Sequence, residues 1–393
     1  MKSLEGITVV SLEQAVAAPY ATRHLADLGA RVVKVERPDG GDFARYYDTS
    51  VNGLSSYFVW CNRGKESLTL NLKDEGGREV LHRLTATADV FVQNLAPGAA
   101  ARLGFGAEEL LGANPRQVVC EITGFGAEGP YRDRKAYDLI IQAETGVLAV
   151  TGSDDGFAKA GISIADIATG MYAFSGILAA LYRRSVSGEG GLVSICMLDA
   201  LGEWVGQPAY FERYGGRPVP RSGADHATIA PYGPVRCGDG GTIFLGVQNE
   251  REWEALCREV LLRPEIANDP RFRGNEQRVR NRQALGEILT EGFSSASADE
   301  VSRRLDDARI VNGRLRAPGM LWEHPQVQAR KRLAQAETPT GPVDAFMSPL
   351  ESGAGEFPAL GAVPSLGEHT SEILAELGYG AREITVLRAR GAV

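Results

Sequence analysis

The sequence predicts an α/β protein. A large, open parallel-sheet domain is followed by a smaller α+β domain and a return segment. Three observations carry this. Short β-branched runs alternate with amphipathic stretches from the first residues on, the signature of βαβ units. At 393 residues the chain is too long for one small core. Its character changes near Arg217-Pro-Val-Pro-Arg-Ser-Gly223, where apolar periodicity gives way to a Pro- and Gly-rich linker.

In chain order, Gly6 to Leu12 reads as a buried strand, Pro19 to Leu28 as a helix stopped by Gly29, and Ala30 to Glu36 as a second strand. Strand, helix and strand in so short a span make a βαβ unit, so the two strands are expected to be parallel. A second unit runs from Ser67–Leu72 through a helix at Glu75–Ala86 to Asp89–Gln93, and Val118–Thr123 is a further strand. A smooth helix follows from about Asp166 to Arg184, then a strand at Leu192–Met197 and a helix to about Tyr214. Past the linker, Thr242–Val247 is a strand, Asn249–Leu261 a helix, and Arg278–Phe293 and Ser297–Ala308 are charged amphipathic helices, with Ser297 as N-cap. The stretch Gln326–Pro364 is loop-rich, and the tail from Gly367 to Gly378 is a short helix. The expected domains are 1–215, 216–325 and a return segment, 326–393.

The formal net charge of −8 argues against nucleic acid or an acidic membrane surface as partner. Five scattered cysteines without a CxxC pair, and five histidines not spaced to join them, give no metal site and fit a reducing cytoplasm. No apolar h-region precedes the first strand, and no uncharged stretch reaches membrane-spanning length.

The most informative residue is Asp166. It opens the first turn of a helix whose Ala168, Gly170, Ala173, Gly176, Ala179 and Ala180 leave little bulk, so neighbours can approach closely. At a helix N-terminus the dipole and free N–H groups are expected to keep it ionised. Such a carboxylate in a poorly hydrated site is a nucleophile candidate, and the same placement suits an ordinary N-cap. The first βα turn, Glu13-Gln-Ala-Val-Ala-Ala-Pro19, lacks the glycines that a dinucleotide pyrophosphate needs, so Glu36 at the end of the second strand is a weak ribose signal. No P-loop, HExxH or GxSxG motif is present, and His24, His82, His324 and His369 stand alone. Cations recur near predicted strand ends: Arg37, Arg63 with Lys65, Arg102 and Lys135. Gathered on one rim they would suit a polyphosphate or polycarboxylate.

With these segments in order the chain resembles the class III CoA-transferases, the group of formyl-CoA transferase and carnitine CoA-transferase. The resemblance is carried by Leu4-Glu-Gly-Ile-Thr-Val-Val, Leu28-Gly-Ala-Arg-Val-Val-Lys-Val-Glu-Arg-Pro38, Asn62-Arg-Gly-Lys-Glu-Ser67 and Gln93-Asn-Leu-Ala-Pro-Gly98. It continues through Gly124-Phe-Gly126, Lys135-Ala-Tyr-Asp138, Asp166 with Thr169-Gly-Met171, and Leu366-Gly-Glu-His-Thr370. It implies a Rossmann-like sheet domain, an interlocked homodimer, coenzyme A as part of the substrate, and no metal. It implies that Asp166 is the catalytic aspartate and that Val16, Ala17 and Ala18 meet the CoA chain near the thioester. Arg37, Asn94, Leu95, Arg102 and Lys135 would hold the adenosine and phosphates. Lys65, in the family's basic turn where Glu66 replaces an arginine, would also bind CoA.

The racemase branch of the superfamily places a catalytic histidine where this chain has Tyr137, and α-proton exchange needs a base on each face. Formyl-CoA transferase has a glycine run where this chain reads Gly223-Ala-Asp-His-Ala-Thr-Ile-Ala-Pro-Tyr-Gly233, which argues against formyl or oxalyl groups. The expectation is therefore CoA exchange between succinyl-CoA and a short dicarboxylic acid such as itaconate, mesaconate, citramalate or malate. Tyr137, Arg45 and His226 are the candidates for the acid, since a second carboxylate calls for a cation or a cluster of donors. A 2-methylacyl-CoA racemase, or transfer within one molecule, is the alternative.

Overall fold

The structure is a computed structural model that describes residues 2–350 and 360–393. It divides into two compact units, one of residues 1–146, 160–207 and 326–393, the other of 147–159 and 208–325.

In the first unit, β1 (Thr8–Leu12), α1 (Ala17–Asp27) and β2 (Arg31–Glu36) form the opening βαβ. Then come β3 (Lys65–Thr69), α2 (Glu75–Ala86), β4 (Val90–Gln93), β5 (Val118–Thr123), α3 (Asp138–Glu144), α4 (Ile164–Ser187) and β6 (Gly191–Cys196). The six strands are all parallel, in the order β3-β2-β1-β4-β5-β6. The sheet grows outward from β1 in one direction and from β4 in the other. A crevice therefore opens beyond the carboxyl ends of these two strands, where ligands bind in such sheets.

Because side chains alternate along a strand, each strand feeds both faces. Val9, Val32, Val90 and Val118 pack with Ala21 and Leu25 of α1 and Phe174 and Ile177 of α4. Val10, Val33, Phe91 and Val119 pack with Leu81 and Leu84 of α2 and with Ile373, Leu374 and Leu387 of the two closing helices, Thr370–Glu376 and Ala381–Ala389. The last of these helices is one the sequence reading lacked.

β3 would be a free edge, and the Leu366–Thr370 motif closes it. The Gly367 N–H donates to Ser67 Oγ, the His369 N–H to Ser67 O, the Ser67 N–H to His369 Nδ1, and the Thr69 N–H to Thr370 Oγ1. These four bonds do for the edge what a seventh strand would do. Gly367 has φ 69° and approaches Thr69 so closely that a Cβ would stand 3.0 Å from its Cγ2.

The smooth face of α4 has its reason in the packing. A Cβ at Gly170 would lie 2.7 Å from the carbonyl oxygen of Ala17, and one at Gly176 would lie 2.7 Å from Val193 Cγ1. By length and composition α4 could cross a membrane, but its buried side lies on the sheet and on α1.

Under this contact sits His24, buried, with its ring edge-on to Tyr20 and tilted against Phe174. Arg23 donates to Nε2, so the ring proton is on Nδ1, which has no partner among the described residues. Burial, then the Arg23 guanidinium, pulls its pKa from 6.5 to about 3. The unfolded chain thus binds one more proton between those values, and the stability from the neutral ring, complete above pH 6.5, drains away as pH falls towards 3. The loss should be about 2 kcal/mol at pH 5. Urea unfolding at pH 7 and pH 5 should show His24→Phe losing that much less than the parent. Equal losses would remove His24 as an acid-sensitive group.

In the second unit Tyr232–Arg236, Thr242–Gly246 and Val311–Arg314 form an antiparallel sheet with the Thr242 strand central. Gly274–Arg280, Arg282–Phe293 and Ala298–Asp307 are its main helices, and the Ser297 side chain caps the last through the Glu300 N–H. The core is built on Trp253, Phe272, Leu285, Phe293 and Leu305. Residues 147–159 belong here because Gly223 N–H donates to Gly152 O and Arg221 Nε to Ser153 O. The division near 207 falls before the expected 215, inside the helix Gly206–Gly215, which buries no side chain. The Gln326–Pro364 stretch holds a short helix and a Leu333–Ala336/Val343–Phe346 hairpin, and its residues 351–359 lie outside those described.

Candidate active site

Asp166 is the third residue of α4, and it does not cap the helix. Ser163 at the N-cap position makes no side-chain bond either. The cap comes from another helix: Asp138, first residue of α3, accepts from the Ala165 N–H at 2.8 Å and, more weakly, from the Asp166 N–H at 3.4 Å. Its second oxygen accepts from Gln142 Nε2 at 2.6 Å, and the buried Gln142 in turn accepts from the Ala160 N–H. The N–H groups that were expected to keep Asp166 ionised are spent on Asp138. Among the described residues the Asp166 carboxylate accepts no hydrogen bond. Burial first, and then the Asp138 carboxylate, pushes its pKa from 3.8 up to about 7. Asp166 is thus a poorly solvated, acceptor-rich carboxylate on a rigid helix.

The close passage at Gly170 sets the first turn of α1 beside the same end of α4. A helix leaves its first N–H groups without intrahelical partners, here those of Val16, Ala17 and Ala18, before Pro19, which has none to offer. Tyr47 belongs to this neighbourhood. Its hydroxyl is pushed up to about 12 by burial and by the charges of Asp42 and Asp166, with Tyr137 and Tyr57 adding to them. Phe43 and Tyr57 flank its ring at 5.7 and 5.3 Å. The sequence reading missed Tyr47; an aromatic pair, Tyr46-Tyr47, in the loop after a sheet strand was the available signal.

Beyond the carboxyl ends of β1 to β4 lies a cleft of about 590 Å³. Arg37 and Leu95 line it, as do Asn71, Leu72, Lys73 and Leu103, none of which the sequence reading picked. Leucines on either hand with Arg37 and Lys73 at the mouth suit a flat aromatic base carrying phosphates. Lys73 follows β3, so the strand-end rule that found Arg37 could have found it.

Several expected site residues are engaged elsewhere. Arg63 precedes β3 and Lys65 is its first residue, so both stand at the wrong end of the strand for the rim. Lys65 is fully buried, its ammonium bound to Glu13 Oε1 (2.6 Å), Pro19 O (2.9 Å) and Asn62 Oδ1 (3.0 Å), which leaves no donor for a phosphate. Arg63 pairs with Asp27. The unusual Glu66 forms a fork-to-fork pair with Arg31 on the neighbouring strand. Arg45 grips Glu36 through two nitrogens, donates to Pro364 O and lies 3.7 Å from the Phe58 ring centroid, so it is a structural cation rather than a free carboxylate receptor. Glu36 is in consequence unavailable to a ribose. The Asn94 amide clamps both the N–H and the carbonyl of Gln14 at 2.9 Å. His226 belongs to the second unit, stacked on Tyr232 and accepting from the Thr228 N–H. Arg102, Lys135 and Tyr137 are exposed, and Tyr137 immediately precedes Asp138. Among the described residues, no cluster of His, Cys, Asp and Glu could hold a metal.

A doubly covered parallel sheet with a cleft at its switch point suits a ligand carrying a nucleotide, and the bare carboxylate beside a helix N-terminus is a candidate nucleophile. The chain belongs to CoA-transferase family III, whose pattern it matches over residues 4–370. It is 32% identical to the human succinyl-CoA:glutarate CoA-transferase, over 100% of this chain and 90% of that one. It is 34% identical to the formyl-CoA:oxalate CoA-transferase of Streptomyces avermitilis, over 100% of both. The crystal structure of a CAIB/BAIF family protein from Brucella suis superposes with a TM-score of 0.85 at 33% identity, covering 96% of this chain and 99% of that one.

Proposed function

We propose that this enzyme moves CoA from succinyl-CoA to a short dicarboxylic acid through covalent intermediates on Asp166. The observation that carries the reading is the Asp166 carboxylate, half-buried and without a hydrogen bond among the described residues, next to the first turn of α1. An Asp166 oxygen attacks the thioester carbonyl, the C–S bond breaks, and CoA leaves as thiolate from a mixed anhydride. The thiolate attacks the Asp166 carbonyl, releasing succinate and leaving an Asp166–CoA thioester. The acceptor carboxylate displaces the thiolate to form a second anhydride. The thiolate then attacks the acceptor's acyl carbon, giving the new acyl-CoA and restoring the carboxylate. The N–H groups of Val16, Ala17 and Ala18 stabilise the oxyanions. Both anhydrides hydrolyse readily, so the site must exclude water, and a second copy wound around this chain would help to do so. Arg37, Leu95 and Lys73 hold the nucleotide end of CoA in the rim cleft.

The acceptor is read as a dicarboxylate because the human relative is named for succinyl-CoA and glutarate. The deciding experiment supplies succinyl-CoA with glutarate, mesaconate, itaconate, citramalate, malate and oxalate in separate reactions and follows new acyl-CoA by mass spectrometry. One or more dicarboxylyl-CoA products are expected, with Asp166→Ala yielding none. No new thioester from any acid would sink the succinyl-dependent reading.

A further inference from the structure

The turn between β1 and α1 is held at three consecutive residues, and the hold ends in a buried ion network that chemistry on Asp166 does not use. Glu13 lies between Lys34 and Lys65 and accepts from Thr22 Oγ1. Gln14 is clamped by Asn94. Ala15 has φ 62°, a conformation unfavourable for any residue with a Cβ, so it persists only where its surroundings impose it. What imposes it is Asp42. One oxygen accepts from the Ala15 N–H at 3.1 Å and the Ala44 N–H at 2.9 Å, and the other takes the Lys34 ammonium at 2.8 Å. The Lys34 and Asp42 side chains are completely buried. Burying such a pair is weak evidence for stability, since apolar residues of similar volume often serve as well. An ion pair does fix direction, and here it directs one carboxylate at one strained residue.

That residue adjoins the N–H groups of α1. Ala17 is the residue whose carbonyl Gly170 of α4 approaches, one turn along from Asp166, and the Tyr47 hydroxyl stands in the field of Asp42 and Asp166 together. We propose that Asp42, oriented by Lys34, is a positioning residue for the transfer reaction: it sets Ala15, and thereby places the Val16, Ala17 and Ala18 N–H groups where the thioester oxygen gains charge. The inference rests on the reading of Asp166 as nucleophile. Oxyanion donors act over a few tenths of an ångström, and a displacement of about 1 Å costs roughly a hundredfold in rate.

The test compares three variants for kcat, for KM towards acyl-CoA and for melting temperature. In Asp42→Asn the side chain must turn its NH2 towards either the Lys34 ammonium or the Ala15 N–H, donor against donor. kcat should fall about thirtyfold while KM stays within about threefold. Adding Lys34→Met to Asp42→Asn removes the conflict and leaves Glu13 paired with Lys65, so kcat should recover to within about fivefold of the parent. Lys34→Met with Asp42→Ala removes the acceptor itself and should lose about a hundredfold in kcat. If the alanine double variant does not fold, the rescue within the asparagine pair decides alone. No recovery on adding Lys34→Met, or losses carried by KM rather than kcat, would overturn the proposal. Asp166→Ala runs in the same assay. Retained transfer there would strike the nucleophile reading instead, and leave the Asp42 result to be read by itself.

Discussion

Asp166→Asn should lose transfer activity on the order of 10⁴-fold and, in the same protein, gain stability at pH 8. The first half follows from removing the nucleophile. The second follows from its surroundings. The folded chain holds Asp166 half-buried beside Asp138, with a pKa raised from 3.8 to about 7. Folding therefore disfavours the charged form. The penalty is absent below pH 4, grows as pH rises, and is complete above about 7. At pH 8 it amounts to at most about 4 kcal/mol, reduced by whatever water reaches the carboxylate. The asparagine has no charge to bury, so Asp166→Asn should melt several degrees above the parent at pH 8 and level with it at pH 4. A variant that melts below the parent at pH 8 would mean that the carboxylate is supported by contacts rather than strained by them.

The same raised pKa sets the acid limb of the rate. Only ionised Asp166 can attack, so kcat/KM for the acyl-CoA should climb with pH and level off near 7, and at pH 5 it should be about a hundredfold below the plateau. Asp138→Asn separates the causes. Its amide oxygen can still cap α4 through the Ala165 N–H, and Gln142 can turn its oxygen to the new NH2 at the cost of its bond from the Ala160 N–H, while the like charge beside Asp166 is gone. The acid limb should then move down by about one pH unit, the remaining shift belonging to burial. A limb that stays in place would assign it to another group. Asp138→Ala, which removes cap and charge together, should in addition lose about 1 kcal/mol of stability.

The sheet was legible because its signals are local. Short β-branched runs, Gly29 after α1 and the alternation with amphipathic stretches give β1 to β6 within a few residues, and the smoothness of its helix singles out Asp166. What sequence could not give was direction across space. Lys65 and Arg37 look alike as cations near strands, yet one opens its strand and points under α1 while the other follows its strand onto the rim. Arg45 looked free because its partner, Glu36, lies nine residues away on another element. The sequence places Asp166 at its own helix terminus, but Asp138, 28 residues earlier, already occupies those N–H groups. Such assignments depend on which groups reach a donor first, and that competition is settled only in three dimensions.

The closure of β3 by Leu366–Thr370 has a consequence for biosynthesis. The strand leaves the ribosome some 300 residues before the segment that covers its edge. At roughly 5–20 residues per second, the interval is tens of seconds. For that time the nascent sheet presents an open row of backbone donors and acceptors, while the second unit, with a core of its own, is already able to fold. The first unit is the last to be finished. A stalled or truncated chain that ends before Leu366 should therefore carry a folded second unit beside an adhesive, unfinished sheet, and be a preferred client for chaperones that shield exposed strand edges.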